Sequence, residues 1–117
     1  MSDFTIYHNP RCSKSRASLA YLQDAGIDAE IILYLDTPPS PDELRIVLGK
    51  LSMAPEVLLR RNEADYKTHI AGKPDMTDDE LIETMCRYPK LIERPIIITG
   101  NQAVIGRPPE RVQELLG

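Results

Sequence analysis

A chain of 117 residues, 42% of them apolar, is the size of one folding domain and can bury roughly two thirds of the surface its unfolded form exposes. Its 14 Lys+Arg against 18 Asp+Glu give a net charge of −4, and it has no Trp, one Phe and five Tyr. That balance argues against sequence-blind nucleic-acid binding, which needs a basic face, and against a base-stacking platform. The longest apolar run, Ile31 to Leu35, is far too short to span a bilayer. Met1-Ser2-Asp3-Phe4 has neither the basic region nor the apolar core of a signal peptide. Cys12 and Cys86 do not make a disulfide framework, so the expected setting is a reducing cytoplasm, with no nucleic-acid and no membrane partner.

In chain order, Phe4 to Tyr7 reads as a strand that runs into a loop at His8-Asn9-Pro10. Ser13 to Ala25 contains no breaker, carries Leu19, Leu22 and Ala25 at helical spacing, and stops at Gly26. Ala29 to Leu35 reads as a second strand, apolar but for Glu30. A β-α-β unit of this kind favours a right-handed crossover between parallel strands. After the rigid loop Asp36-Thr37-Pro38-Pro39, Ser40-Pro41-Asp42-Glu43 is a capping box with Pro at the first helical position. Leu44, Val47, Leu48 and Leu51 follow as the stripe of a buried helix face. Short helices are expected over 55–59 and 64–71. Thr77-Asp78-Asp79-Glu80 is a second capping box, with Leu81, Ile82 and Met85 behind it and Tyr88-Pro89 as the stop. Pro95 to Thr99 and Gln102 to Ile105 read as a hairpin about Gly100-Asn101. A closing helix over 108–116 should bury Val112, Leu115 and Leu116.

This order outlines a thioredoxin-like α/β fold: a four-stranded mixed sheet flanked by helices. The chain reads as a single domain, 1–117, with a helical insertion at about 41–90 between the β-α-β half and the β-hairpin-α half. There is no internal repeat or linker.

Cys12 is the first candidate for chemistry. It stands in a loop after a strand, at the start of a helix, where unpaired amide N–H groups favour an anion. A thiol there ionises more readily than a free one, and the thiolate is the nucleophile. Arg11, Lys14 and Arg16 add positive charge. The competing reading, an inert packing cysteine, fits poorly with such polar and basic neighbours. The motif Cys12-Ser13-Lys14-Ser15 lacks a second cysteine, so a disulfide cannot be resolved locally. Cys86, beside the apolar face of its helix, reads as a packing residue, which points to an external resolving thiol.

Arg60, Arg94 and Arg107 each stand at the end of an element, and Arg is the side chain suited to bidentate contact with a tetrahedral oxyanion. Composition and spacing leave open whether the three converge or serve as separate surface residues. Arg61 reads as solvated. His8 can influence the Cys12 loop, either as a brace or chemically. His69 reads as a surface residue. Neither a zinc-ligand spacing nor a Gly-rich phosphate loop is present in the sequence.

Tyr7-His8-Asn9-Pro10-Arg11-Cys12-Ser13-Lys14-Ser15-Arg16 resembles the active-site loop of the glutathione/glutaredoxin-linked arsenate reductase family. Leu58-Leu59-Arg60, Leu91-Ile92-Glu93-Arg94-Pro95-Ile96-Ile97 and Gly106-Arg107-Pro108-Pro109-Glu110 resemble its other signatures, in the same order. The resemblance implies Cys12 as nucleophile, Arg60, Arg94 and Arg107 as oxyanion ligands, and His8 and Ser15 as residues that tune the cysteine. It also implies a cis peptide at Pro95, as in thioredoxin-like folds. The implied reaction is reduction of arsenate to arsenite through a Cys12 adduct, with glutathione as co-substrate, glutaredoxin as partner and no bound cofactor or metal. Relatives of this family include Spx-type regulators that bind RNA polymerase. A regulator of that type, and a glutathione-dependent thiol reductase without arsenate activity, are the alternatives. The three arginines together favour the oxyanion enzyme.

Overall fold

The computed structural model describes residues 3–116. The chain forms two compact units, one built from the segments up to Thr37 and from Arg94 onward, the other from Pro38–Glu93. The second unit covers the helical insertion expected from the sequence and extends it by a few residues at each end.

The first unit holds strands β1 (Phe4–Tyr7), β2 (Glu30–Ile32), β3 (Ile96–Thr99) and β4 (Gln102–Ile105) and helix α1 (Ser13–Asp24). The strand order is β2-β1-β3-β4. β1 pairs parallel with β2 and antiparallel with β3, and β3 pairs antiparallel with β4, so the sheet is mixed. β1 and β3, the two strands with no exposed residue, take the centre, and Ile6 lies opposite both Ile31 and Ile97. Ile6, Leu22, Ile97, Val104 and Val112 form the core, with Phe4, Leu19, Tyr21, Ile27, Ala29 and Leu115 packed around them. α1 ends as its sequence implies: Gly26 sits at φ +77, its N–H bonds the Gln23 carbonyl, and the Ile27 N–H bonds that of Leu22. Gly100, at φ +55, provides the left-handed residue of the two-residue hairpin turn.

Two expectations change. The strand expected over 29–35 is only Glu30–Ile32 and lies at the sheet edge, so Ile31 is 46% exposed. The chain turns at Leu33, whose carbonyl accepts from the Asp36 and Thr37 amides, and Tyr34 is buried with its ring stacked on Tyr7. The closing helix is a 3-10 segment, Pro109–Leu115. With three residues per turn it places Pro109, Val112 and Leu115 along one face, and Leu116 leaves that face and is exposed.

The second unit contains α2 (Pro41–Leu51), α3 (Pro55–Leu58), α4 (Ala64–His69) and α5 (Asp78–Arg87), followed by a 3-10 turn at Pro89–Leu91. Both capping boxes form: Ser40 accepts from the Glu43 amide and Thr77 from the Glu80 amide, and each Glu side chain accepts from the cap's own N–H. Leu44, Val47 and Leu48 of α2 and Leu81, Ile82 and Met85 of α5 are buried. α4, weakly patterned in sequence, buries none of its own residues, and Ile70 just beyond it is buried instead.

Leu22→Ala should destabilise the first unit by ~2–5 kcal/mol, the range for emptying a packed core site. Ile46→Ala, at a position 60% exposed, should change stability by no more than ~0.5 kcal/mol. Urea unfolding midpoints compare the two.

Candidate active site around Cys12

Cys12 is the N-cap of α1, with extended backbone at φ −96 and ψ 122, and its carbonyl accepts the first helical bond, from Arg16. β1 delivers the chain to this point. The Cys12 amide bonds the Asn9 carbonyl, the Arg11 amide bonds Asn9 Oδ1, and the Arg16 guanidinium donates to the Pro10 carbonyl. The loop is therefore tied to itself and to the first turns of the helix. Only 8% of Cys12 is exposed.

Burial by itself pushes the thiol up. Against it act the Ser15 amide, the Arg94 guanidinium, the Lys14 amide and the Arg107 guanidinium, and together they leave the Cys12 thiol below its ordinary range. Both arginines come from the hairpin. Arg94 precedes β3 and Arg107 follows β4, at equal distances in sequence from the Gly100–Asn101 turn. The register that pairs Ile96 with Ile105 therefore sets the two opposite each other. Arg107 Nε donates to the Arg94 carbonyl at 2.8 Å, and its Nη2 lies 3.7 Å from Cys12 Sγ. The Arg94–Pro95 peptide bond is cis, and so is Arg107–Pro108, which nothing in the sequence reading singled out.

His8 and Ser15 lie under the loop, both buried. Ser15 Oγ accepts from the Asn9 N–H at 3.0 Å and is 2.6 Å from His8 Nδ1. Burial, and secondarily the charge of Arg16, hold His8 below its usual pKa, so at neutral pH its ring is uncharged. In that form the Ser15 hydroxyl can donate to Nδ1 while accepting from Asn9. This arrangement fixes the start of α1, and with it the amides that face the sulfur.

Arg60 belongs to the second unit. There an antiparallel bridge pairs Leu59 with Ile92, and the Arg60 amide bonds the Leu91 carbonyl. The Arg60 side chain forms an ion pair with Glu63 at 2.7 Å and approaches Glu93 at 3.9 Å. Arg60 and Glu63 are the two ends of a turn in which the Glu63 N–H donates to the Arg60 carbonyl, which brings their side chains together. Cys86 also belongs to this unit. Burial, opposed by Arg45 and reinforced by Glu43 and Glu83, pushes its thiol up to about 11. Two residues expected at the surface have partners there. His69 is not a free surface ring but stacks on Tyr88, with ring centroids 3.9 Å apart. Arg61, though exposed, is not simply solvated: it donates to the Tyr66 hydroxyl at 2.8 Å and lies over that ring.

Sequence reasoning missed Ser18 and Gly106. Ser18 is fully buried on α1, and its Oγ donates to the Gly106 carbonyl. Gly106 also follows from the hairpin register, since it falls opposite Pro95, whose carbonyl accepts its N–H at 2.9 Å. Among the described residues, no cluster of three or more His, Cys, Asp or Glu could hold a metal ion, and no helix is long and apolar enough to cross a membrane.

The electrostatics yield a pH signature. The rate of Cys12 alkylation by a small neutral reagent should rise with a midpoint below the ~8.5 of a free cysteine, because the reactive form is the thiolate. Cys86 should remain unreactive at neutral pH. Peptide mapping after iodoacetamide treatment across a pH series measures both. A Cys12 midpoint at the free-thiol value would contradict the site.

Known proteins resemble the chain over nearly all of its length. The ArsC family profile matches residues 7–115. An arsenate reductase of Neisseria meningitidis is 41% identical over 117 residues, covering 99% of this chain and 100% of that one. The Escherichia coli protein YfgD is 44% identical over 113 residues, covering 96% and 95% of the two chains. A solved arsenate reductase from Vibrio cholerae superposes with a TM-score of 0.91 at 45% identity, covering 95% of each chain. The chain therefore belongs to the ArsC family, and its four-stranded mixed sheet flanked by helices is that family's thioredoxin-like fold.

Proposed function

We propose that this protein is an arsenate reductase that works through a covalent adduct on Cys12. The observation that carries this reading is the contact between Arg107 and the Cys12 sulfur, at 3.7 Å, at the N-terminus of α1. A nucleophilic sulfur beside guanidinium groups and unpaired amides suits a substrate that is both an electrophile and an oxyanion. The full-length similarity to the Neisseria and Vibrio arsenate reductases supports arsenate as that substrate.

In the reaction, the Cys12 thiolate attacks arsenic(V). An S–As bond forms and one arsenate oxygen leaves as water after taking up protons. A glutathione thiolate then attacks the Cys12 sulfur. An S–S bond forms, the S–As bond breaks, and its electron pair stays on arsenic, which departs as arsenite. Glutaredoxin exchanges its own thiol into the Cys12–glutathione disulfide and returns the thiolate. Arg94 and Arg107 hold the oxyanion and offset the charge on its oxygens. Arg60 is assigned as a third ligand because Leu58-Leu59-Arg60 matches a family signature. His8 and Ser15 keep the Cys12 loop in its reactive shape. Two features support an external thiol: the Cys-x-x-Ser motif, and a Cys86 held protonated by a pKa near 11. A reducing cytoplasm supplies such thiols.

Arsenate reduction with glutathione and glutaredoxin present tests the assignment. Cys12→Ser should abolish it and Cys86→Ser should leave it nearly intact. Arg94→Lys and Arg107→Lys retain charge but lose the planar fork, and each should lower kcat/KM for arsenate by about tenfold, the equivalent of one charged hydrogen bond. A wild-type protein that reduces glutathione mixed disulfides but not arsenate would replace this reading with that of a thiol reductase.

A further inference from the structure

Among the described residues three polar side chains are buried: His8, Ser15 and Ser18. The first two brace the Cys12 loop. Ser18 is fully buried on the same helix that carries Cys12 at its N-cap. Its hydroxyl donates to the Gly106 carbonyl at 3.4 Å, linking positions 88 residues apart in sequence.

Gly106 sits where α1, the residue after the cis peptide and the end of β4 meet. Its N–H is taken by the Pro95 carbonyl. A Cβ at Gly106 would overlap Ser18 Oγ and would stand only 2.9 Å from Pro95 Cγ and 3.2 Å from Ile97 Cδ1. Two of those neighbours, Pro95 just before β3 and Ile97 within it, are buried and cannot move aside easily. The requirement here is for space, since the φ of Gly106 is not in the left-handed region. Arg107 leaves directly from this point. Its amide bonds the Ile105 carbonyl at 2.8 Å, its Nε the Arg94 carbonyl at 2.8 Å, and its Nη2 reaches the sulfur.

We propose that Ser18 and Gly106 are positioning residues that register Arg107 against the Cys12 sulfur. The helix that presents the sulfur also holds, through Ser18, the backbone from which the guanidinium extends. A rotation or slide of α1 relative to the hairpin would separate the two, and the Ser18–Gly106 contact opposes it. The proposal rests on Cys12 as the nucleophile and Arg107 as a cation that supports it. It does not depend on which oxyanion is the substrate.

The test is the pH midpoint of Cys12 alkylation by iodoacetamide, measured on the full chain in a Cys86→Ser background with no arsenate present. The charged groups acting on the sulfur are Arg94 and Arg107. Arg107→Ala, the reference, should raise the midpoint by up to ~1 pH unit, the low end of the effect of an opposite charge at this range. Gly106→Ala should raise it by a similar amount, and Ser18→Ala by a smaller one in the same direction. Combined with Arg107→Ala, neither should add a further shift. Should Gly106→Ala fail to fold, Ser18→Ala, which only removes an atom, decides the matter. Variants that lose stability but keep the wild-type midpoint would overturn the proposal, because a residue that only fills space has no reason to move the thiol's titration. Shifts that add to that of Arg107→Ala would overturn it too. A protein that passes this test but fails to reduce arsenate would refute the substrate assigned above and leave the coupling in place.

Discussion

A thiolate that is only 8% exposed has to be stabilised by groups that stay beside it, because burial alone favours the neutral thiol. The first unit answers that constraint with fixed backbone and two cations. The amides of Lys14 and Ser15 belong to the first turn of α1 and cannot swing away. Arg107 is tethered to the Arg94 carbonyl before it reaches the sulfur. Much of the rest of this unit follows from that requirement. β1 and β3 lie at the centre of the sheet, β1 leads into the Cys12 loop, and the β3–β4 hairpin brings both arginines to its open end.

The two cysteines show how environment decides the role of a thiol. Cys12 and Cys86 are the same residue in one chain, and both are removed from full solvent exposure. At Cys12 the cost of burial is exceeded by dipoles and positive charge. At Cys86 burial is reinforced by Glu43 and Glu83, and Arg45 does not compensate. The same residue type is thus pushed toward ionisation at one position and away from it at the other. In the reaction proposed above, the electrons would come from a thiol outside the chain.

The sequence was most legible where a single local rule governs the outcome. The capping boxes at Ser40 and Thr77, the Gly26 stop, the Gly100–Asn101 turn and the helix N-terminus at Cys12 each depend on a few adjacent residues. It was less legible where an element's position in the sheet matters. Ile31 reads as buried by composition but lies on an edge strand, and Leu116 reads as inward for an α-helix but not for a 3-10 turn. The pairing of Arg94 with Arg107 was present in the sequence in a less direct form, because a two-residue turn at 100–101 fixes the register that sets them opposite. Ser18 offered no such signal. A serine within an amphipathic helix looks like any other small polar residue until the fold supplies a carbonyl for it.

Single-turnover mass spectrometry tests the covalent step at Cys12 most directly. The protein would be mixed with arsenate and glutathione, with glutaredoxin withheld, then acid-quenched and digested. The expected result is arsenite in solution and one glutathione per chain, disulfide-linked to Cys12, with no such modification when arsenate is omitted. Arsenite formed while Cys12 remains a free thiol, or glutathione found on Cys86 instead, would contradict it.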